Sequence, residues 1–424
     1  MRIEIRGARL VDPVANTESN ASLFIAEGRI ASTGKPPEGF KPDEVIEAGG
    51  LVLCPGLVDL SARLREPGYE YKATLESEMR AAVAGGVTSL ACPPDTDPVL
   101  DEPGLVEMLQ FRARLLNGAR VHPLGALTQG LRGEQVAELG ELAEAGCIGF
   151  SNADAPLVDT MVLYRTLQYA ATFGYTVWLR PQDVFLAKDG VAHDGEVATR
   201  LGLPSIPSCA ETIALATITR LVEETGARVH VCRLSTREGV GIMRAAKKSG
   251  LPLTCDVAVH HLHLSDVDIG YFDTNCRLIP PLRATRDRDA LRAGVADGTI
   301  DAVCSDHAPV DDDAKQVPFG EAEPGATAVE LLLPLVLKHA QEDHHPLADM
   351  VGRVTSAPAA IMGIDAGHLG IGHQADIAIF DPAAFWRVER SALKSQGKNT
   401  PFMGFEVPGR IRYTLVNGQV VFEF

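Results

Sequence analysis

The sequence predicts an α/β chain: a (β/α)8 barrel of the TIM type carrying a small β-sandwich domain built from both chain ends. Three observations predict it. Eight short apolar runs recur through the middle of the chain with helical stretches between them, the pattern of a closed parallel barrel. The two ends carry a different pattern, two-residue alternation broken by Gly and Asn turns. A length of 424 residues accommodates one large barrel and a smaller attached domain.

The apolar runs are LVDL (57–60), VTSLAC (87–92), RVHPLGA (120–126), CIGFS (147–151), YTVWLR (175–180), RVHVCRL (228–234), PLTCDVA (252–258) and DAVCS (301–305). Helical periodicity runs through 70–86, 101–118, 133–146, 158–174, 209–226 and 237–250. These segments end in Gly, the residue that a helix C-terminus favours. The barrel is therefore expected over 56–365. The flanks, 1–55 and 366–424, hold RIEIRGARLVD, ASLFIAEGRIAS, ADIAIFDP and IRYTLVNGQVVFEF. LVNGQVVF reads as a hairpin by itself. Two ends of one character on either side of a barrel predict one split β-domain.

Bulk properties exclude several classes. The net charge of −17 argues against nucleic acid or an anionic membrane as partner. The N-terminus, MRIEIRGARLVDP, alternates like a strand and lacks the apolar core of a signal peptide. No stretch nears the roughly 18 apolar residues of a membrane span. Eight cysteines are scattered without a C-x-x-C pair, as expected of reduced thiols in a cytoplasmic protein.

Chemistry in such a barrel collects where strands end and loops begin. The residues there are Ser61, Arg63 and Arg65, then Cys92, Pro94 and Asp95, Ser151 and Asn152, Arg180, Arg233 and Ser235, His260 and His261, and Asp306 and His307. A binuclear metal hydrolase needs neutral imidazoles, a bridging carboxylate and an aspartate base. Of the residues at the expected places, only Asp306 meets that description.

The chain resembles the dihydroorotases of the amidohydrolase superfamily along essentially its whole length. GLVDLSARLREPG is similar to the family's strand-one motif, in which His-x-His is followed two residues later by arginine. Ser61 and Arg63 stand at the histidine positions, and Arg65 matches the arginine. CIGFSNADAP is similar to the strand-four segment with the bridging ligand, where Asn152 and Ala153 now stand and no carboxylate follows until Asp154. Arg180 and Arg233 take the histidines of strands five and six. Asp306, in SDHAP, is the one ligand position kept. LGLPSIPSCAE, HHLHLSD, YFDTNCR, PPLR, QADIAIFDP and NTPFMGFEVPG resemble dihydroorotase framework away from the chemistry.

The resemblance implies a binuclear zinc site that this chain has lost. An arginine stays protonated at cellular pH and has no lone pair to give a metal. It also implies a substrate carboxylate read by an arginine and two asparagines. Arg65 remains, but Asp95 and Ile279 replace the asparagines, and Asp95 would repel such a ligand. The arginines are expected to pair with Asp306 and Asp183, and with Asp95 or Asp154, filling the vacated site with charge. A single retained metal and an anion bound by the arginines are the other readings. His260, His261 and His307 are expected to be structural hydrogen-bonders, His344 and His345 a solvated loop, and Asp311, Asp312 and Asp313 surface. Segment 306–325 resembles the mobile loop that covers substrate in active relatives.

Two functions follow. In the first, the chain is a catalytically inactive dihydroorotase-like subunit of pyrimidine biosynthesis; resemblance of this kind goes with a non-catalytic chain that assembles with aspartate carbamoyltransferase catalytic chains. In the second, it is a working dihydroorotase or related cyclic amidohydrolase with an atypical site, Asp306 shuttling the proton.

Overall fold

The computed structural model describes residues 1–424. Parallel strands line the barrel in chain order: Leu57–Asp59, Val87–Cys92, Arg120–Pro123 continued by Gly125–Ala126, Phe150–Ser151, Thr176–Leu179, Arg228–Val231, Leu253–Ala258 and Ala302–Cys304. Each pairs with its neighbour in sequence. The third strand is split. Its first half bonds the second strand and its second half the fourth.

The ring closes between the eighth strand and the first through residues just beyond both. Arg63 N–H donates to the His307 carbonyl at 2.8 Å, and His307 N–H donates to the Ser61 carbonyl at 3.0 Å. The seam thus runs through the positions that the sequence marked as chemical.

Most of the hydrogen-bonded strands are shorter than the apolar runs, trimmed at one end or both. CIGFS contributes only Phe150–Ser151. Gly149, just before, lies so close to the fifth strand that a Cβ there would meet Trp178 Nε1 at 2.7 Å.

Helices Leu75–Ala84, Pro103–Leu115, Leu139–Glu144, Thr160–Phe173, Cys209–Thr225, Arg237–Lys248, Thr285–Ala296 and Leu332–Glu342 surround the strands. The first is fixed by a reciprocal cap: Thr74 Oγ1 accepts from Ser77 N–H, and Ser77 Oγ accepts from Thr74 N–H. The helix expected over 133–146 is only Leu139–Glu144. Its N-terminal half is held as loop by a bridge between Thr128 and Val136.

Strands Arg2–Asp12, Thr17–Ala26, Arg29–Thr33, Glu44–Glu47 and Val52–Pro55 join Ile377–Arg387, Glu406–Val416 and Gln419–Glu423 in one eight-stranded sheet. Val52–Pro55 lies antiparallel to Ile377–Phe380, so the two chain ends meet at the centre of the sheet. Side chains alternate across it. Leu53, Ile377 and Ile379 pack with Ile3, Ile5, Ile25 and Leu415 in the sheet's own core. Val52, Cys54, Ala378 and Phe380 face the barrel core instead. The sheet curls over its own core, for the turn at Gly28 touches the turn at Asn417, where a Cβ on Gly28 would lie 2.9 Å from the Asn417 carbonyl. Asn417 and Gly418 have φ of 51° and 66°, as the type I′ turn of an Asn-Gly hairpin requires. No helix is long and apolar enough to cross a membrane.

Candidate functional site at the barrel mouth

The side chains at the strand ends are presented by a strained backbone. Arg65, Ala153, Arg233 and Asp306 have φ of 63°, 49°, 56° and 47°, a left-handed conformation uncommon outside glycine. Each costs on the order of 1–3 kcal/mol and persists only where surrounding contacts fix it. At Arg233 one such contact is its own N–H, which donates to Asp256 Oδ1 at 2.5 Å. At Asp306 and Arg65 the seam between the first and eighth strands lies immediately beside the turn.

These turns converge on one carboxylate, Asp154. Its Oδ2 accepts from Arg63 Nη2 at 2.6 Å and its Oδ1 from Arg233 Nη2 at 2.5 Å. Arg180 Nε lies 2.6 Å from Oδ1 as an ion pair, and Arg180 Nη2 donates to the Asp154 carbonyl at 3.1 Å. Asp306 Oδ1 accepts from Arg233 Nη1 at 3.0 Å, Ser61 Oγ at 3.3 Å and Arg63 Nη1 at 3.4 Å. Asp95 Oδ2 accepts from Arg63 Nε at 2.8 Å. Three guanidinium groups therefore balance three carboxylates. Arg63, Arg233 and Asp306 are buried, while the Asp154 side chain is 30% exposed at the mouth.

Electrostatics follows from this geometry. Burial alone would push Asp154 upward, but Arg233, Arg63 and Arg180 together hold its carboxyl well below the usual range. Burial likewise opposes ionisation of Asp306, and Arg233, His260 and Arg63 reverse the effect. Burial also works against the charge of Arg63, yet Asp95 and Asp154 raise it further. The sign of the pH effect is set by these directions. Carboxyls depressed in the folded state stabilise it above their unfolded value of about 4, and that contribution is lost as pH falls through and below it. The urea midpoint is expected to fall steeply with acid below about pH 4, and in Asp154→Asn the slope should flatten.

The other residues marked in the sequence are placed as follows. Arg65 Nε donates to the Pro309 carbonyl at 2.8 Å. Arg63 engages Asp95 through Oδ2, while Asp95 Oδ1 has no hydrogen-bond partner. Asn152 turns away from the arginines: its Oδ1 accepts from Thr128 Oγ1 at 2.7 Å and its Nδ2 donates to the Leu131 carbonyl at 3.2 Å. Ile279 offers only its carbonyl, to Arg233 Nη1 at 3.3 Å. The expected pairing with Asp183 does not form. That carboxylate instead caps the Phe185 and Leu186 N–H groups, at 3.0 and 2.9 Å, because the chain turns outward straight after Arg180.

The histidines divide. His307 is structural: Nε2 meets Glu78 Oε2 at 2.6 Å and Nδ1 accepts from Ala328 N–H at 3.1 Å. His261 Nε2 reaches the Pro281 carbonyl at 3.3 Å. His260 departs from expectation, because neither of its buried ring nitrogens has a hydrogen-bond partner, Nε2 lying 3.9 Å from Asp306 Oδ2. The loop after Asp306 is pinned: Lys315 Nζ donates to the Glu323, Thr274 and Arg277 carbonyls at 2.7, 3.0 and 3.5 Å. Beside the cluster, a cavity of about 190 Å³ opens between the fourth and fifth strands, with Asp154, Trp178, Arg180, Phe185 and Ile213 in its walls.

This donor set does not fit a divalent cation. Apart from Asp306, the ligand positions hold a hydroxyl, an amide and three guanidinium groups, and the latter already occupy both oxygens of Asp154 and Oδ1 of Asp306. Guanidinium offers no lone pair and repels a cation.

A family model described as dihydro-orotase-like matches residues 50–239, and an amidohydrolase family model matches residues 187–422. A dihydroorotase-like protein of Pseudomonas putida is 46% identical, with 99% of each chain covered. A protein of the same description from Pseudomonas aeruginosa is 44% identical over the full length of both. The chain belongs to the dihydroorotase-like family of amidohydrolases. Within the family, a dihydroorotase of Geobacter sp. is 41% identical over the full length of both chains. The L-hydantoinase of Arthrobacter aurescens superimposes with a TM-score of 0.88 at 23% identity, covering 99% of this chain and 96% of its own. That likeness supports the barrel with its β-sandwich domain.

Proposed function

We propose that this dihydroorotase-like chain is a catalytically inactive subunit of pyrimidine biosynthesis that holds aspartate carbamoyltransferase catalytic chains in an assembly, and that it carries no zinc at the barrel mouth. One observation carries the reading: Asp154 gripped by Arg63, Arg180 and Arg233 where metal ligands belong. Hydrolysis of a cyclic amide needs a nucleophile, and without a metal the pKa of water is not lowered. The remaining base, Asp306, is held ionised by Arg233 and Arg63, which leaves it a poor proton acceptor. A mouth filled with balanced charge keeps the barrel folded while its surface remains free for use.

The purified chain is expected neither to close carbamoyl aspartate nor to open dihydroorotate above the uncatalysed rate, and to co-purify with aspartate carbamoyltransferase from its native host. Recovery of the chain alone at low salt would count against the assembly role. Turnover at an ordinary enzymatic rate would sink the whole reading. The dihydroorotase name of the Geobacter relative favours the second reading, an active enzyme with Asp306 as proton shuttle. Loss of that turnover in Asp306→Asn would establish it.

A further inference from the structure

The C-terminal turn of helix Leu332–Glu342 carries a second cluster that shares no residue with the barrel mouth. His339 and Asp343 stand four residues apart, on one helix face. His344 then adopts a left-handed conformation, φ 57°, and His345 N–H donates to the Ala340 carbonyl at 2.9 Å. This reversal brings the third side chain back over the turn, so His345 is not the solvated loop residue that the sequence suggested. Asp343 Oδ2 lies 3.4 Å from His339 Nδ1 and 3.9 Å from His345 Nε2.

We propose that His339, Asp343 and His345 bind one divalent transition-metal ion of the zinc class. The first support is an anomaly. His339 is completely buried, yet neither of its ring nitrogens has a hydrogen-bond partner, and His345 Nε2 has none either. Buried polar atoms are rarely left so, and an ion is one of the few things that resolves them. The second is size. A tetrahedral zinc with bonds of about 2.0–2.1 Å has ligand-to-ligand edges of about 3.3 Å. The two measured here are 3.4 and 3.9 Å, and all three ligand atoms lie within 4.8 Å of one another, so a small side-chain rotation would close the site.

An ordinary histidine–aspartate ion pair does not account for the cluster. His339 Nδ1 comes within 3.4 Å of Asp343 Oδ2 without forming a hydrogen bond, so the buried ring nitrogen is left unengaged. Arg292 grips Asp343 from the other side, Nε to Oδ2 at 2.9 Å and Nη2 to Oδ1 at 2.7 Å. Unlike the mouth, where guanidinium groups stand in the ligand positions themselves, a single outer guanidinium orients this carboxylate and leaves each oxygen a second lone pair. Its charge is offset, since Arg292 also bonds Glu342, which in turn accepts from Lys338. The helix C-terminus adds a favourable negative end. His345 lines a cavity of about 240 Å³ beside Asp349 and Arg353, leaving room for water or an exchangeable ligand in the fourth position.

A rival lies in Asp365, His368 and His373, but there both rings already bond the carboxylate, at 3.0 and 3.1 Å, on an exposed loop. The test is titration of the chelator-stripped full chain with Zn²⁺ and with Co²⁺, followed by calorimetry and visible absorption. One ion per chain is expected, with Kd below about 1 μM and the intense absorption of four-coordinate cobalt. His345→Ala, at a partly exposed turn where the fold can be checked by circular dichroism, should weaken binding by at least about 100-fold. His373→Ala and Asp306→Asn should leave it unchanged. Affinity weaker than about 1 μM, or tight binding that survives His345→Ala, overturns the proposal.

Discussion

Replacing Asp154 with alanine should destabilise the folded chain by about 3 kcal/mol, measured as a lower urea midpoint. The physical cause is the isolation of three guanidinium groups that now share this carboxylate. Breaking a buried ion pair by removing one partner costs about 3–5 kcal/mol, because the surviving charge stays desolvated. The low end applies, since the Asp154 side chain is 30% exposed and water can enter. Asp154→Asn should cost nearly as much, for it preserves shape and removes only charge. Asp183→Ala is the control. Loss of its turn-capping bonds to Phe185 and Leu186 should cost about 1 kcal/mol. Equal losses at the two positions would show that Asp154 does not anchor the mouth.

Restoring the four lost histidines together, Ser61→His, Arg63→His, Arg180→His and Arg233→His, should leave turnover of dihydroorotate undetectable. The substitution removes three positive charges and leaves Asp95, Asp154 and Asp306 facing one another. Such a site is expected to gain affinity for Zn²⁺, because imidazoles and carboxylates are its ligands. Activity should still be absent. Asn152 is tied to Thr128 and Leu131 and supplies no bridging carboxylate, and Ile279 offers substrate only an apolar side chain. Each missing polar partner weakens binding of a charged ligand by about 1–3 kcal/mol. Strong turnover in this variant, followed by ring opening at saturating substrate, would show that the pocket losses matter little.

Periodicity made the barrel legible, because alternating strands and helices leave a signal at every repeat. The Asn417–Gly418 hairpin was legible for a local reason, since few residue pairs tolerate two successive positive φ angles. The shortened helix at Leu139–Glu144 was not, because a tertiary bridge from Thr128 overrides local propensity. At the mouth, the sequence named the three arginines and Asp306 but not which carboxylate they would share. Asp154 and Asp183 each lie close behind a strand-end residue, and nothing in composition separates them. The difference is conformational: Ala153 takes a left-handed turn that aims Asp154 inward, while Asp183 caps the turn that leads the chain out. His345 was missed for the same reason, as the reversal at His344 is invisible without the helix end it folds against.

Because Pro55 pairs with Ile377, more than three hundred residues further on, the central seam of the β-domain stays open while the barrel is being synthesised. At ribosomal speeds that wait is on the order of a quarter-minute to a minute. Throughout it Val52–Pro55 is an unprotected edge, open to pairing with another nascent chain. A chain cut short after the barrel would keep that edge permanently. Nonsense mutations that stop the chain after the barrel but before Ile377 should therefore yield aggregates rather than a trimmed but folded protein.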